Sequence, residues 1–190
     1  LPYLLKKVNL PIYATRLTLA LIEGKLKEQG LNNKVKMYET KPGDRVKLGC
    51  MEVEFIHVNH SIPDAVGLAI HSPAGTIVHT GDFKIDCTPT WGEMIDLGRF
   101  AQLGKEGVLA LLADSTNAER PGFTQTESRI ATSFENLFRR ADKSRIIVAT
   151  FASNIGRVQQ IIDCAVKYGR KVALSGRSML NVMGIGVEKG

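Results

Sequence analysis

The chain has 190 residues, 44% of them apolar and 23% charged, which is the composition of a globular fold and enough length for one substantial core, or for one domain and part of another. No apolar run approaches the roughly 18–20 residues that a spanning helix requires, so a transmembrane helix is excluded. The formal net charge of +6 suits a polyanionic partner, and three widely separated cysteines (Cys50, Cys87, Cys164) exclude a CxxC zinc site or a disulfide frame and point to reduced thiols in the cytosol. A start without Met, and without the pattern of a signal peptide, points to a fragment of a longer chain.

Residues 11–14 predict a short strand and residues 15–30 a helix. Thr15 stands at the N-cap, Leu17, Leu21, Ile22 and Leu26 recur at helical spacing, and Gly30 falls where a C′ glycine belongs. Residues 35–40 alternate like a strand and residues 41–44 read as a turn. Residues 46–48 and 51–56 form a hairpin, with Glu52 and Glu54 assigned to its wet face. A second hairpin follows, of residues 66–71 and 75–80. His60 and Asp82 lie in the loops at its outer ends, and antiparallel pairing brings those loops to the same side of the sheet.

After a loop at 88–92, residues 96–104 predict a short helix, and the apolar run 108–113 predicts a strand buried on both faces. Residues 124–127 read as a capping box opening a helix to about residue 141. A strand at 145–150, a helix at 155–168, a strand at 171–174 and a helix from 177 complete a strand–helix alternation, which implies a parallel sheet. The change of texture places a domain boundary near residues 118–121.

All four histidines (His57, His60, His71, His79) fall between residues 55 and 86. His60, in a loop, is the ligand candidate; the other three alternate onto sheet faces, where they serve structure or hydrogen-bond a ligand. Asp82 ends a strand after a glycine, a position open either to a turn cap or to a ligand. Imidazole and carboxylate together suit zinc or manganese, but two donors fall short of the roughly three that a catalytic zinc takes from protein. Asp114, in D-S-T-N at the end of an apolar strand, is either a functional carboxylate or an Asx turn. At the strand-to-helix transition 150–157, Ser153, Asn154 and Arg157 join free N–H groups as a phosphate site, or Ser153 and Asn154 simply cap the helix.

The motifs H-S-I-P-D, T-G-D-F-K, D-S-T-N and T-F-A-S-N-I-G-R-V-Q-Q, in that order, resemble the ribonuclease J family of the metallo-β-lactamase superfamily, β-CASP branch, across essentially the whole chain. The resemblance implies an α/β fold: part of a metallo-β-lactamase αββα sandwich over residues 1–118, lacking the H-x-H-x-D-H segment, followed by the start of a parallel β-CASP domain over residues 119–190. It implies a metal-dependent ribonuclease, exonuclease or endonuclease, that hydrolyses RNA phosphodiesters with two Zn2+ ions, or Mn2+ or Mg2+ in their place. His60 would bind one ion, Asp82 would bridge both and serve catalysis with Asp114, and Ser153, Asn154 and Arg157 would face RNA. The implied partners are RNA, further copies in a homodimer or homotetramer, and other RNA-decay factors, in the cytoplasm and away from membranes. H-x-H-x-D-H is expected before Leu1 and further β-CASP histidines after Gly190, so the segment alone is expected to be inactive. A small-molecule hydrolase of the same fold, or a non-catalytic RNA-binding piece, are the alternatives.

Overall fold

The computed structural model describes residues 1–90, 92–124, 126–141 and 143–189. Trp91 of the expected 88–92 loop and Gln125 of the expected capping box lie outside the described residues.

The chain opens with helix α1 (Pro2–Leu5), strand β1 (Ile12–Ala14), helix α2 (Arg16–Glu28) and strand β2 (Met37–Glu39). β1 and β2 pair in parallel, Ile12 against Met37. α2 ends because Gly30 takes a left-handed φ of +67°, which lets Gly30 N donate to Lys27 O and Leu31 N to Leu26 O. That closing turn brings Leu31 onto Leu26, and both are buried with Leu5 against Ile12, Ile22, Val35 and Met37.

The main sheet contains β3 (Arg45–Leu48), β4 (Met51–His57), β5 (Val66–Ser72), β6 (Gly75–His79) and β7 (Ala110–Leu112), in that spatial order. The first four strands are antiparallel, and β7 returns parallel to β6 through helix α3 (Leu97–Glu106). Asp96 caps α3, accepting from Arg99 N at 2.8 Å. α3 covers one sheet face, packing Leu103 and Phe100 on Ile56, Ala69 and Val78.

That covered face corrects the reading of Glu54. Residues 52, 54 and 56 share one side of β4, and this is the side under α3, so Glu54 is only 6% exposed. Its carboxylate accepts from Arg99 Nε at 2.6 Å and Nη2 at 2.9 Å, from Arg45 Nη2 at 2.9 Å and from His71 Nε2 at 3.2 Å. The hydrogen bonds from Arg99, opposed by burial and aided by His71 and Arg45, lower the Glu54 pKa from 4.5 to about 2.

Three other expectations are corrected. The run at 108–113 is not buried on both faces: β7 is a short edge strand, and Leu111 is 63% exposed. The expected capping box begins too early, since Thr126 is the N-cap of α4 (Glu127–Arg140) and accepts from Ser128 N at 3.5 Å. Residues 145–150 and 171–174 carry no sheet pairing among the described residues, so the expected parallel sheet is not formed there. A parallel strand exists only where a neighbouring strand supplies its ladder. The helices are formed as expected: α4, α5 (Ile155–Lys167) and α6 (Arg177–Lys189), with α4 and α5 joined through Phe134, Phe138, Cys164 and Ala165.

Replacing Glu54 with Ala leaves Arg99 charged under α3 without its carboxylate, and we expect a loss of ~3–5 kcal/mol in urea unfolding. In the parent chain, a carboxyl with a depressed folded pKa contributes stability that is complete above its unfolded value near 4.5 and is lost as pH falls towards 2. Thermal unfolding should therefore fall through that window, and a Glu54→Gln variant should show a shallower fall there.

Candidate metal centre

Two loops at one end of the main sheet build the site, and backbone pairing holds them together. The first leaves β4 at His57. Asn59, 8% exposed, fixes it in three directions: Nδ2 donates to Glu93 O at 2.7 Å, Oδ1 accepts from Ile95 N at 2.9 Å, and its carbonyl accepts from Lys84 N at 2.8 Å. His57 Nε2 lies 3.0 Å from the same Glu93 carbonyl. His60 follows directly, with Ser61 Oγ 3.3 Å from its Nε2.

The second loop leaves β6 at His79. Thr80 is buried; its N donates to Leu112 O at 3.0 Å, and its Oγ1 accepts from Asp114 N at 3.0 Å. Gly81 turns the chain with φ of +62°, and its N donates to His79 Nδ1 at 3.0 Å. A Cβ at Gly81 would stand 2.7 Å from Val66 O, so both the conformation and the space require glycine. The turn presents Asp82 with its carboxylate largely in solvent, and His60 Nε2 lies 3.8 Å from Asp82 Oδ2.

Asp114 enters from the end of β7. Its Oδ1 accepts from Thr116 Oγ1 at 2.6 Å and Thr116 N at 3.0 Å. These bonds, with a backbone hydrogen bond from Phe83 and the charge of His60, lower its pKa from the ordinary carboxylate value. His60, Asp82 and Asp114 thus share the end of the sheet where β5 begins and β6 and β7 finish. The remaining histidines are engaged elsewhere: His57 with Glu93, His79 with Gly81, and His71 with Glu54 and Thr76. Among the described residues, no group of three or more His, Cys, Asp or Glu is arranged to hold an ion.

Beyond Asp82 the loop joins the helical half of the chain. Lys84 Nζ sits 3.1 Å from Asp86 Oδ2 and 2.9 Å from Glu127 Oε1. Asp86 is 3% exposed and also accepts from Thr88 N at 3.1 Å and Glu127 N at 3.2 Å. Burial pushes the Asp86 pKa up, but hydrogen bonds from Thr126, Glu127, Thr88 and Lys84 outweigh it and hold the group at about 2. Arg157 Nη2 reaches both oxygens of Glu127, at 3.1 and 3.0 Å. Of the expected phosphate residues, Asn154 is buried and caps α5, accepting from Arg157 N at 3.1 Å; Ser153 is exposed beside it; and Arg157 is engaged by Glu127.

Sequence reasoning passed over Asn59, Thr80 and Glu127. The signals were adjacency to His60, the Thr opening T-G-D-F-K, and a carboxylate in the first turn of α4, none of which states its partner.

Residues 143–190 match the family profile described as "Ribonuclease J, beta-CASP domain". All 190 residues align at 49% identity with Ribonuclease J of Thermus thermophilus, covering 100% of this chain and 34% of that protein. From end to end, the chain is similar to part of ribonuclease J. Ribonuclease J2 of Bacillus subtilis is 43% identical over 95% of this chain and 32% of its own length, and Ribonuclease J of Helicobacter pylori 47% identical over 100% and 27%. The chain spans about a third of the length of the curated ribonuclease J relatives it matches. A crystal structure of a protein of unknown function from Enterococcus faecalis shares the fold, with a TM-score of 0.62 at 16% identity over 88% of this chain and 47% of that one.

The ribonuclease J-like T-G-D turn supplies a direct test of the site's construction. Gly81→Ala forces a side chain into a left-handed turn against Val66 O, and we expect a loss of ~1–3 kcal/mol in urea unfolding. The expected companion change is in the His60 imidazole resonances, followed by NMR, as Asp82 moves away.

Proposed function

We propose that the chain carries part of the metal centre of a two-metal RNA hydrolase of ribonuclease J type. Residues 1–118 form a metallo-β-lactamase portion, and residues 119–190 begin a β-CASP portion. The observation that carries this reading is the 3.8 Å separation of His60 Nε2 and Asp82 Oδ2. An imidazole nitrogen and a carboxylate oxygen that far apart can both lie ~2.0–2.2 Å from one zinc. The mixed nitrogen and oxygen donors suit zinc or manganese better than magnesium.

The two side chains leave the donor set incomplete, so the other ligands come from outside the described residues. Divalent ions, when bound, supply the activated water and the charge neutralisation that phosphodiester cleavage needs.

The chain's own residues do the positioning. Asn59 and the Asn59–Lys84 bridge fix the His60 loop, Thr80 and Gly81 aim Asp82, and Thr116 tethers Asp114 at the same end of the sheet. Asp82 would supply its carboxylate to the bound ions beside His60. RNA phosphate is received beside the first turn of α5 by Ser153, while Arg157 exchanges its Glu127 carboxylate for phosphate. The net charge of +6 supports a polyanionic substrate.

The test is metal-dependent cleavage of single-stranded RNA by a chain of full ribonuclease J length. Asp82→Ala should cut the rate by more than the ~10–100-fold typical of losing an outer-shell partner, with unchanged circular dichroism. Retained cleavage would remove Asp82 from the centre. RNA binding without cleavage by the parent would favour a purely binding role.

A further inference from the structure

A cavity lies far from His60 and Asp82. It has a volume of about 570 Å3 and is lined by Phe138, Arg139, Lys143, Ser144, Arg145, Tyr168, Gly169 and Arg170. It sits where α4 and α5 end. Their opposite ends carry Glu127 and Arg157 beside the site loop, so the length of α4 puts the cavity roughly 20 Å away along the helices.

Among the described residues, four cations and no carboxylate line this space. Arg139, Lys143 and Arg145 make no ion pair among the described residues, whereas Lys84, Arg99 and Arg157 each do. The local sequence, R-R-A-D-K-S-R over residues 139–145, sets four cations against the single carboxylate of Asp142. Among the described residues, Arg139 Nη2 donates to the neutral Asn136 Oδ1 alone, at 2.9 Å.

Two helix C-termini would ordinarily repel an anion, because their free carbonyls carry partial negative charge. Arg170 removes much of that objection. It donates to Ala141 O and, at 2.8 Å, to Ser144 O, and its guanidinium rests over the Phe138 ring at 6.0 Å. The carbonyls beyond α4 are therefore covered by a cation braced on an aromatic floor, and Lys143 and Arg145 remain exposed at the rim.

We infer that this cavity is a second anion site, independent of the metal centre, which binds a phosphoryl group. The volume is that of a nucleotide-sized ligand, larger than bare phosphate needs. Two sources share the chemistry: a phosphodiester of an RNA strand running along the α4–α5 pair, and the phosphate of a free nucleotide.

The experiment measures binding of a fluorescent single-stranded oligoribonucleotide, AMP and inorganic phosphate to the 190-residue chain and to a Lys143→Ala/Arg145→Ala variant. Both positions are exposed and outside the packed clusters, so the variant should keep its circular dichroism and thermal unfolding. Lys25→Ala/Lys27→Ala on α2 serves as the charge-matched control, and a Lys143→Glu/Arg145→Glu variant repeats the test with the charge reversed.

If a strand is the ligand, oligoribonucleotide affinity falls about 10-fold or more and the salt slope drops by about two in the cavity variant, with the control unchanged. If a nucleotide is the ligand, AMP and phosphate binding is lost in the cavity variants while the strand is little affected. The inference is overturned if all three ligands bind the parent, both cavity variants and the control alike, or if none binds the parent.

Discussion

One ammonium group lies at the junction between the site loop and the helical half of this chain. Lys84 lies in the loop that carries Asp82, and it holds Asp86 from the same loop and Glu127 from the start of α4 at hydrogen-bonding distance. Asp86 alone would be a buried carboxylate and Glu127 a half-buried one. With Lys84 between them and Arg157 behind Glu127, the charges alternate, and each carboxylate is stabilised by the next cation. Removing one partner of such a pair leaves the other charge uncompensated, so the alternating charges hold one arrangement in place. Here the arrangement specified is the seat of α4 and α5 against the site loop.

The same loop is secured from the sheet side by hydrogen bonds that involve little charge. The Asn59–Lys84 bridge, the Thr80 hydroxyl under Asp114 N, and the left-handed Gly81 turn are short-range and directional. They leave Asp82 exposed while fixing its backbone, as the proposed role of metal ligand requires. His60 and Asp82 meet because β5 and β6 are consecutive antiparallel strands, so the entrance to one and the exit of the other coincide.

Much of this was legible in the sequence. Period-two alternation and turn residues gave β4 to β6, and from them the approach of His60 to Asp82; the Gly30 signal gave the end of α2. Glu54 was misplaced because alternation assigns faces without saying which face a later helix will cover. Arg99, 45 residues on, decides it. The apolar run around Leu111 reads as a buried strand, but burial depends on neighbours, and among the described residues β7 has a strand on one side alone. The expected strands at 145–150 and 171–174 fail to form for the same reason, while the helices, whose hydrogen bonds are internal, form as their periodicity indicates. Arg157 carried the right charge for phosphate, and its commitment to Glu127 is a tertiary fact that no local spacing encodes.

The central claim is that His60 and Asp82 are donors to one ion. Anomalous diffraction at the zinc edge, from crystals grown with zinc, tests it without reference to turnover. The account predicts a peak within ~2.0–2.2 Å of both His60 Nε2 and an Asp82 carboxylate oxygen. Full zinc occupancy elsewhere with nothing between these two side chains would contradict it.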